Sequence, residues 1–173
     1  MTWVALSLGS NIEPVTNIRS CLDALLLKFS DMSLSSVFES EAIGFQGDNF
    51  LNMVVTFETG DSLDTLISTI KKIEDDCGRD RSQPRFSGRT LDIDVLLYGD
   101  KSGTYSDIEL PRPEIIRNAF VLWPLSQLSG QRQHPDLKKT YKQLWEDFDK
   151  ASQRLWPIDF EWHGRRISEK LVQ

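Results

Sequence analysis

The stretch TLDIDVLLYGD, residues 90–100, reads as the strand that closes a sheet. Side chains two apart share a strand face. Thr90, Asp92, Asp94, Leu96 and Tyr98 are therefore expected on one side, and Leu91, Ile93, Val95 and Leu97 on the other. The second face is wholly apolar and should pack on helices. The first carries two carboxylates about 6.6 Å apart at the backbone, from the strand rise. Side chains that lean together from there can hold one or two hard cations. Magnesium takes a few carboxylates together with phosphate oxygens and water, and paired metals clamp a phosphoryl group in transfer. Taken alone, the strand equally suits a sheet edge with two solvated aspartates.

Upstream, the pattern resolves into a series of elements. WVALSL at residues 3–8 reads as a strand meeting a turn at Gly9-Ser10-Asn11. Pro14 suits a first helical turn, and Val15, Ile18, Leu22, Leu25, Leu26 and Phe29 keep helical spacing over 14–29. Residues 33–40 and 50–58 read as strands separated by a loop with Gly44 and Gly47. Asp61 or Ser62 can cap a second helix, with Leu63, Leu66, Ile67, Ile70 and Ile73 on one stripe and a stop near Gly78. With the strand at 90–98, the order is β-α-β-β-α-β. The predicted fold is α+β, a ferredoxin-like core with a mostly antiparallel sheet covered by helices.

Downstream come a short strand near 105–110, the Pro-rich 111–113, the apolar AFVLWPL at 119–125 and a last helix marked by Tyr141, Leu144, Trp145 and Phe148. In WPIDFEW, residues 156–162, the apolar residues alternate with period two, which predicts a single strand buried on one face. Pro157 puts it at a sheet edge.

The chain has 173 residues, 39% hydrophobic and 27% charged, with formal net charge −6. That suits a soluble globular domain. The acidic balance argues against a nucleic-acid footprint. Cys21 and Cys77 form no CxxC and are read as a reduced pair. MTWVALSLGSN has neither a basic n-region nor a small-residue cleavage site, so no signal peptide is read, and no apolar run reaches membrane-spanning length. The expected location is cytoplasmic. His134 and His163 lie outside the motifs and are read as surface residues. No GxxxxGK[ST] loop is present.

Four arginines, Arg79, Arg81, Arg85 and Arg89, precede the strand. Guanidinium forks match phosphate oxygens, and carboxylates match the metals of a metal-bound triphosphate. An internal ion-pair network is the structural alternative, and a single-stranded RNA loop stacking on Phe86 is a further one.

RFSGRTLDIDVLLYG at 85–99 resembles the signature of the 6-hydroxymethyl-7,8-dihydropterin pyrophosphokinase family. Further pieces match in order: SLGSN at 7–11, FLN at 50–52, IE at 73–74, GRxR at 78–81 and AFVLWPL at 119–125. The likeness covers roughly 3–148. It implies a pyrophosphokinase domain over 1–150, with 151–173 a C-terminal extension carrying an edge strand of the same domain. The implied reaction moves the β,γ-diphosphate of ATP to the pterin hydroxymethyl group, leaving AMP, in folate biosynthesis. A relative that binds pterin or nucleotide without turnover is the alternative.

By resemblance, Asp92 and Asp94 hold two Mg2+ ions, and Arg79 and Arg89 contact phosphates and stabilise charge during transfer. Glu74, Arg81 and Phe86 fall at ATP-binding positions. Asn52 pairs with the pterin edge, Phe50 and Phe120 sandwich its ring, and Ile43 falls at a further pterin-binding position. The implied partners are ATP and the pterin, with no nucleic acid and no membrane, in a monomer or weak dimer.

Departures from the family pattern are also legible. Ser87-Gly88 stands where Gly-Pro is common, and Phe86 where tryptophan is common. Phe38-Glu39-Ser40-Glu41-Ala42 replaces a segment that often ends Thr-Pro-Pro. Arg112 lies where many members carry histidine and is expected as a stand-in ATP ligand. Asn118 lies where many carry arginine, and Arg117 is one residue out of step.

Overall fold

The computed structural model describes residues 1–41, 47–77 and 91–172. The core runs β1 (Thr2–Ser10), α1 (Pro14–Lys28), β2 (Ser33–Leu34), β3 (Phe38–Ser40), β4 (Phe50–Thr59), α2 (Leu63–Asp76) and β5 (Asp92–Tyr98). A hairpin of β6 (Gly103–Tyr105) and β7 (Ile108–Leu110) follows, then α3 (Glu114–Arg117), α4 (Ala119–Ser129) and α5 (Tyr141–Asp147). The tail holds β8 (Leu155–Pro157), β9 (Phe160–Trp162) and β10 (Arg165–Ser168).

The main sheet has the order β5-β1-β4-β3-β8, with β2 beside β4. Every pairing in it is antiparallel. This is the expected ferredoxin-like α+β core, extended at one edge by β8. One sheet face, with Leu6, Met53, Val55, Ile93 and Val95, packs on α1 and α2. The stripe of α2 is buried there, and Ser62 caps the helix by accepting from the Thr65 N–H. The other face, with Ala5, Val54, Leu96 and Leu97, packs on α3, α4 and α5.

Five sequence expectations change. The alternation in β5 breaks, because the β1–β5 register slips between Ala5/Leu97 and Leu6/Val95. A bulge adds one residue and reverses the faces beyond it. Leu97 therefore joins Leu96 under α4, while Tyr98 turns to the α1–α2 side and donates its hydroxyl to the Asp61 carbonyl at 2.6 Å.

Gly9 and Ser10 belong to β1 rather than to a turn, being paired to Asn52 and Leu51. The predicted strand 33–40 is interrupted. Ser35 Oγ accepts the Val54 N–H at 2.9 Å, and Val37 turns to the tail, its N–H donating to Ser168 Oγ and its carbonyl accepting from Ile158. The 105–110 strand is half of the β6–β7 hairpin.

The tail departs in the same way. WPIDFEW is two strands, not one. β8 pairs with β3 at the sheet edge, and β9 turns back through His163-Gly164 into β10. Both turn residues have positive φ, 51° and 71°, as a tight primed turn requires. Arg19 Nε donates to the Glu161 carbonyl at 2.8 Å, and Trp162 Nε1 donates to Asp23 at 2.9 Å, which ties this hairpin to α1.

Candidate active site

A cleft of about 420 Å³ opens on the α4 face of the sheet. Its floor is the sheet itself. Gly9 of β1 lies between Asn52 of β4 and Asp92 of β5, paired with both. Asn52 is buried and donates its Nδ2 to Ser40 Oγ at 2.8 Å, which fixes the amide plane. A Cβ on Gly9 would come within 3.0 Å of Asn52 Oδ1, so a glycine keeps the amide's place open. Phe50, at the start of β4, and Phe120, in the first turn of α4, line the same cleft and are half-buried.

Asp92 and Asp94 stand on the cleft face of β5, with Ile93 between them turned into the core. Arg112 closes the outer side of that strand. Its N–H donates to the Leu96 carbonyl at 3.0 Å and its Nε to the Val95 carbonyl at 3.1 Å, capping the backbone at the bulge. Its Nη2 lies 3.7 Å from Asp94 Oδ1. The ion-pair network that the sequence allowed would join Arg79, Arg81, Arg85 and Arg89 to the aspartates, and those four arginines lie outside the described residues. Asp94 remains 55% exposed on its side chain.

Glu74 is elsewhere. It is buried at the C-terminal end of α2, and its Oε2 accepts the Ile93 N–H at 3.2 Å. The carboxylate holds the backbone between the two cleft aspartates from the opposite side of the sheet. It does not line the cleft.

Ile43, Arg79, Arg81, Phe86 and Arg89 lie outside the described residues. The structure thus brings together Phe50, Asn52, Asp92, Asp94, Arg112 and Phe120. Sequence reasoning missed Gly9 and Glu114, and named Ser40 only within the 38–42 segment that family resemblance sets beside the pterin pocket. A glycine inside a strand pattern was the available signal for Gly9. Glu114 lines the cleft, and its Oε2 is buried with no hydrogen-bond partner among the described residues.

Neither histidine serves the cleft. His134 is buried, against expectation, because its Nδ1 accepts the N–H groups of Asp136 and Leu137, both at 3.2 Å, inside a local turn. His163 is exposed and sits 2.7 Å from Asp23. Cys21 and Cys77 are free thiols, and burial pushes the Cys21 thiol well above its ordinary pKa. Among the described residues, no helix is long and apolar enough to cross a membrane.

Fold and cleft define a class: a ferredoxin-like α+β protein with a small-ligand cleft beside paired carboxylates. The chain belongs to the 7,8-dihydro-6-hydroxymethylpterin-pyrophosphokinase (HPPK) family, whose model matches residues 5–130.

It is 32% identical over 146 residues to the 2-amino-4-hydroxy-6-hydroxymethyldihydropteridine pyrophosphokinase of Aquifex aeolicus, covering 83% of this chain and 91% of that protein. The Bacillus subtilis protein of the same name is 31% identical over 131 residues, 73% of this chain and 77% of that one. Among solved structures, an HPPK-DHPS in complex with substrates matches with TM-score 0.71 at 12% identity, over 98% of this chain and 48% of that chain. A Plasmodium falciparum HPPK-DHPS triple mutant matches with TM-score 0.73 at 12% identity, over 98% and 46%. The chain spans about half the length of these solved chains, and the structural likeness carries the fold alone.

Proposed function

We propose that the chain transfers the diphosphate of ATP to the hydroxymethyl group of 6-hydroxymethyl-7,8-dihydropterin, releasing AMP, in folate biosynthesis. The observation that carries this reading is one cleft holding a fixed amide, two aromatic side chains and two carboxylates, drawn from β4, α4 and β5. A flat heterocycle is well held by aromatic faces. Asn52, with one amide hydrogen committed to Ser40, keeps an oxygen and a second hydrogen for the edge of a pterin.

In the reaction, the hydroxymethyl oxygen attacks Pβ, the bond from Pβ to the bridging α,β-oxygen breaks, AMP departs and the hydroxyl proton passes to solvent. Such transfer asks mainly for positioning and charge stabilisation. Asp92 and Asp94 fit magnesium. They offer the hard oxygen donors of two carboxylates on one strand face of the cleft. That is the small protein share of coordination that magnesium accepts alongside phosphates and water. Bound there, two ions would neutralise phosphate charge and bring the hydroxyl and triphosphate together.

Arg112 adds positive charge beside Asp94, where phosphate oxygens would arrive. Arg79, Arg81 and Arg89 supply the remainder, with Phe86 on the same segment. Glu74 serves the nucleotide side by holding β5. The protein works in the cytoplasm as a monomer or weak dimer.

The test is incubation with ATP, magnesium and the reduced pterin. Pterin-dependent AMP formation is expected. ADP as the sole nucleotide product, or ligand binding without any product, rejects the reading.

A further inference from the structure

Tail side chains hold the rim of the cleft: Arg154 Nη1 lies 3.5 Å from Oε1 of the cleft-lining Glu41, and Gln153 ties the turn ahead of Phe120. Gln153 lies beyond the family-matched residues 5–130. Its Oε1 accepts the Ala119 N–H at 2.7 Å, and its Nε2 donates to the Arg117 carbonyl at 2.7 Å. The amide therefore bridges the two residues that flank Asn118, at the junction of α3 and α4.

That junction needs an external partner. The first N–H groups of a helix have no intrahelical acceptor, and Asn118, the residue at the N-terminal boundary of α4, makes no side-chain capping bond. Phe120 follows one residue after Ala119 and lines the cleft. Behind Phe120, between the junction and the tail, lies a second groove of about 490 Å³ that shares Ser40, Glu41 and Phe120 with the cleft. Without a tie, the first turn of α4 has room to settle back into that groove, taking the aromatic ring with it. The same stretch of tail is itself anchored, since Leu155 pairs with Ser40, the hydrogen-bond partner of Asn52.

We infer that Gln153 is a positioning residue for the pterin side of the cleft: by capping α4 and holding the Arg117 carbonyl, it sets where Phe120 stands. The inference rests on the pterin reading above. Gln153 does not line the cleft that Asp92 and Asp94 share with Phe120, so its loss should be felt in the placement of Phe120, and hence in pterin binding, rather than in the transfer step.

The experiment is steady-state AMP release by the full chain carrying Gln153→Ala and Gln153→Glu, with each substrate varied in turn well below the thermal midpoint. Two hydrogen bonds are at stake, so Gln153→Ala should raise KM for the pterin about tenfold. KM for ATP and kcat should stay within about twofold, since an interaction lost equally from ground and transition states moves KM alone. Gln153→Glu keeps an acceptor for the Ala119 N–H but gives the Arg117 carbonyl no donor, so it should fall between. It also stands in should the alanine variant not fold.

A wild-type pterin KM in both variants overturns the inference. So does a parallel loss in pterin KM, ATP KM and kcat, which would mark Gln153 as merely structural. Wild-type protein that makes no AMP from the pterin overturns the pterin reading first, and this inference with it.

Discussion

Gly9→Ala separates ligand recognition from stability, because recognition should weaken while the two effects on stability nearly cancel. Gly9 sits in β1 between Asn52 and Asp92, in ordinary extended backbone. A methyl group there comes to 3.0 Å from Asn52 Oδ1, a few tenths of an ångström too close. The contact falls on the end of a side chain, so the amide gives way rather than the strand. Its resistance is the 2.8 Å bond to Ser40. Losing one buried hydrogen bond costs about 0.5–1.5 kcal/mol, or about two- to tenfold in affinity for a ligand that needs the amide in place.

The backbone effect has the opposite sign. Alanine in a strand interior is favoured over glycine by about 0.5–1 kcal/mol. Pterin KM should therefore rise about two- to tenfold, while the backbone gain roughly offsets the lost hydrogen bond and leaves the thermal midpoint nearly level. Varying the pterin at saturating ATP, alongside a thermal melt, measures both. An unchanged pterin KM would remove Asn52 from recognition. An equal rise in ATP KM would place the damage outside the pterin side of the cleft.

Asp92→Ala and Asp94→Ala should each lower kcat at least about 10²-fold, by analogy with other electrostatic sites, with circular dichroism unchanged; a near-normal rate in either contradicts the paired-carboxylate site. Glu74→Ala should cost about 1.5–3 kcal/mol in a urea titration, as loss of a charged buried acceptor. Glu74→Gln retains an acceptor for the Ile93 N–H and should lose less, so equal losses would discount the β5 clamp. The Tyr141 hydroxyl is buried without a hydrogen-bond partner among the described residues, and its pKa is pushed up by burial. Tyr141→Phe should therefore hold or raise the thermal midpoint, whereas a drop of several degrees would reveal a bonded hydroxyl.

Asp23 is held below the usual carboxylate range, first by the Trp162 hydrogen bond and then by His163. A lowered folded-state pKa gives stability that is present above the ordinary aspartate value and lost as pH falls through the lowered one. Proteolysis of the tail should thus accelerate in that acid window, and Asp23→Asn should flatten the dependence; an equally steep dependence in the variant refutes the linkage.

The helices and core strands were legible because one-sided burial writes its period into the chain. The α2 stripe, with Ser62 ahead of it, needs nothing beyond its own spacing. Asp92, Asp94, Asn52, Phe50 and Phe120 were legible as a set through their resemblance to a family, and the sheet brings them to one cleft. Other features depended on partners distant in sequence. His134 looks like a surface residue until the turn around it supplies two N–H donors. WPIDFEW looks like one strand until Val37 accepts from Ile158 and divides it.

Local period and residue chemistry settled the element order, the antiparallel α+β class and the pair of acids on one strand. Pairing across the sheet settled the rest. The register slip between Ala5 and Leu6 reverses the faces of Leu97 and Tyr98. Gly9 becomes part of the cleft floor only when Asn52 and Asp92 flank it. Gln153 meets Ala119 and Arg117 from more than thirty residues away. Side-chain alternation is a property of one segment, whereas a bulge, a close approach and a cap supplied from the tail exist only between segments. No single stretch of chain encodes them.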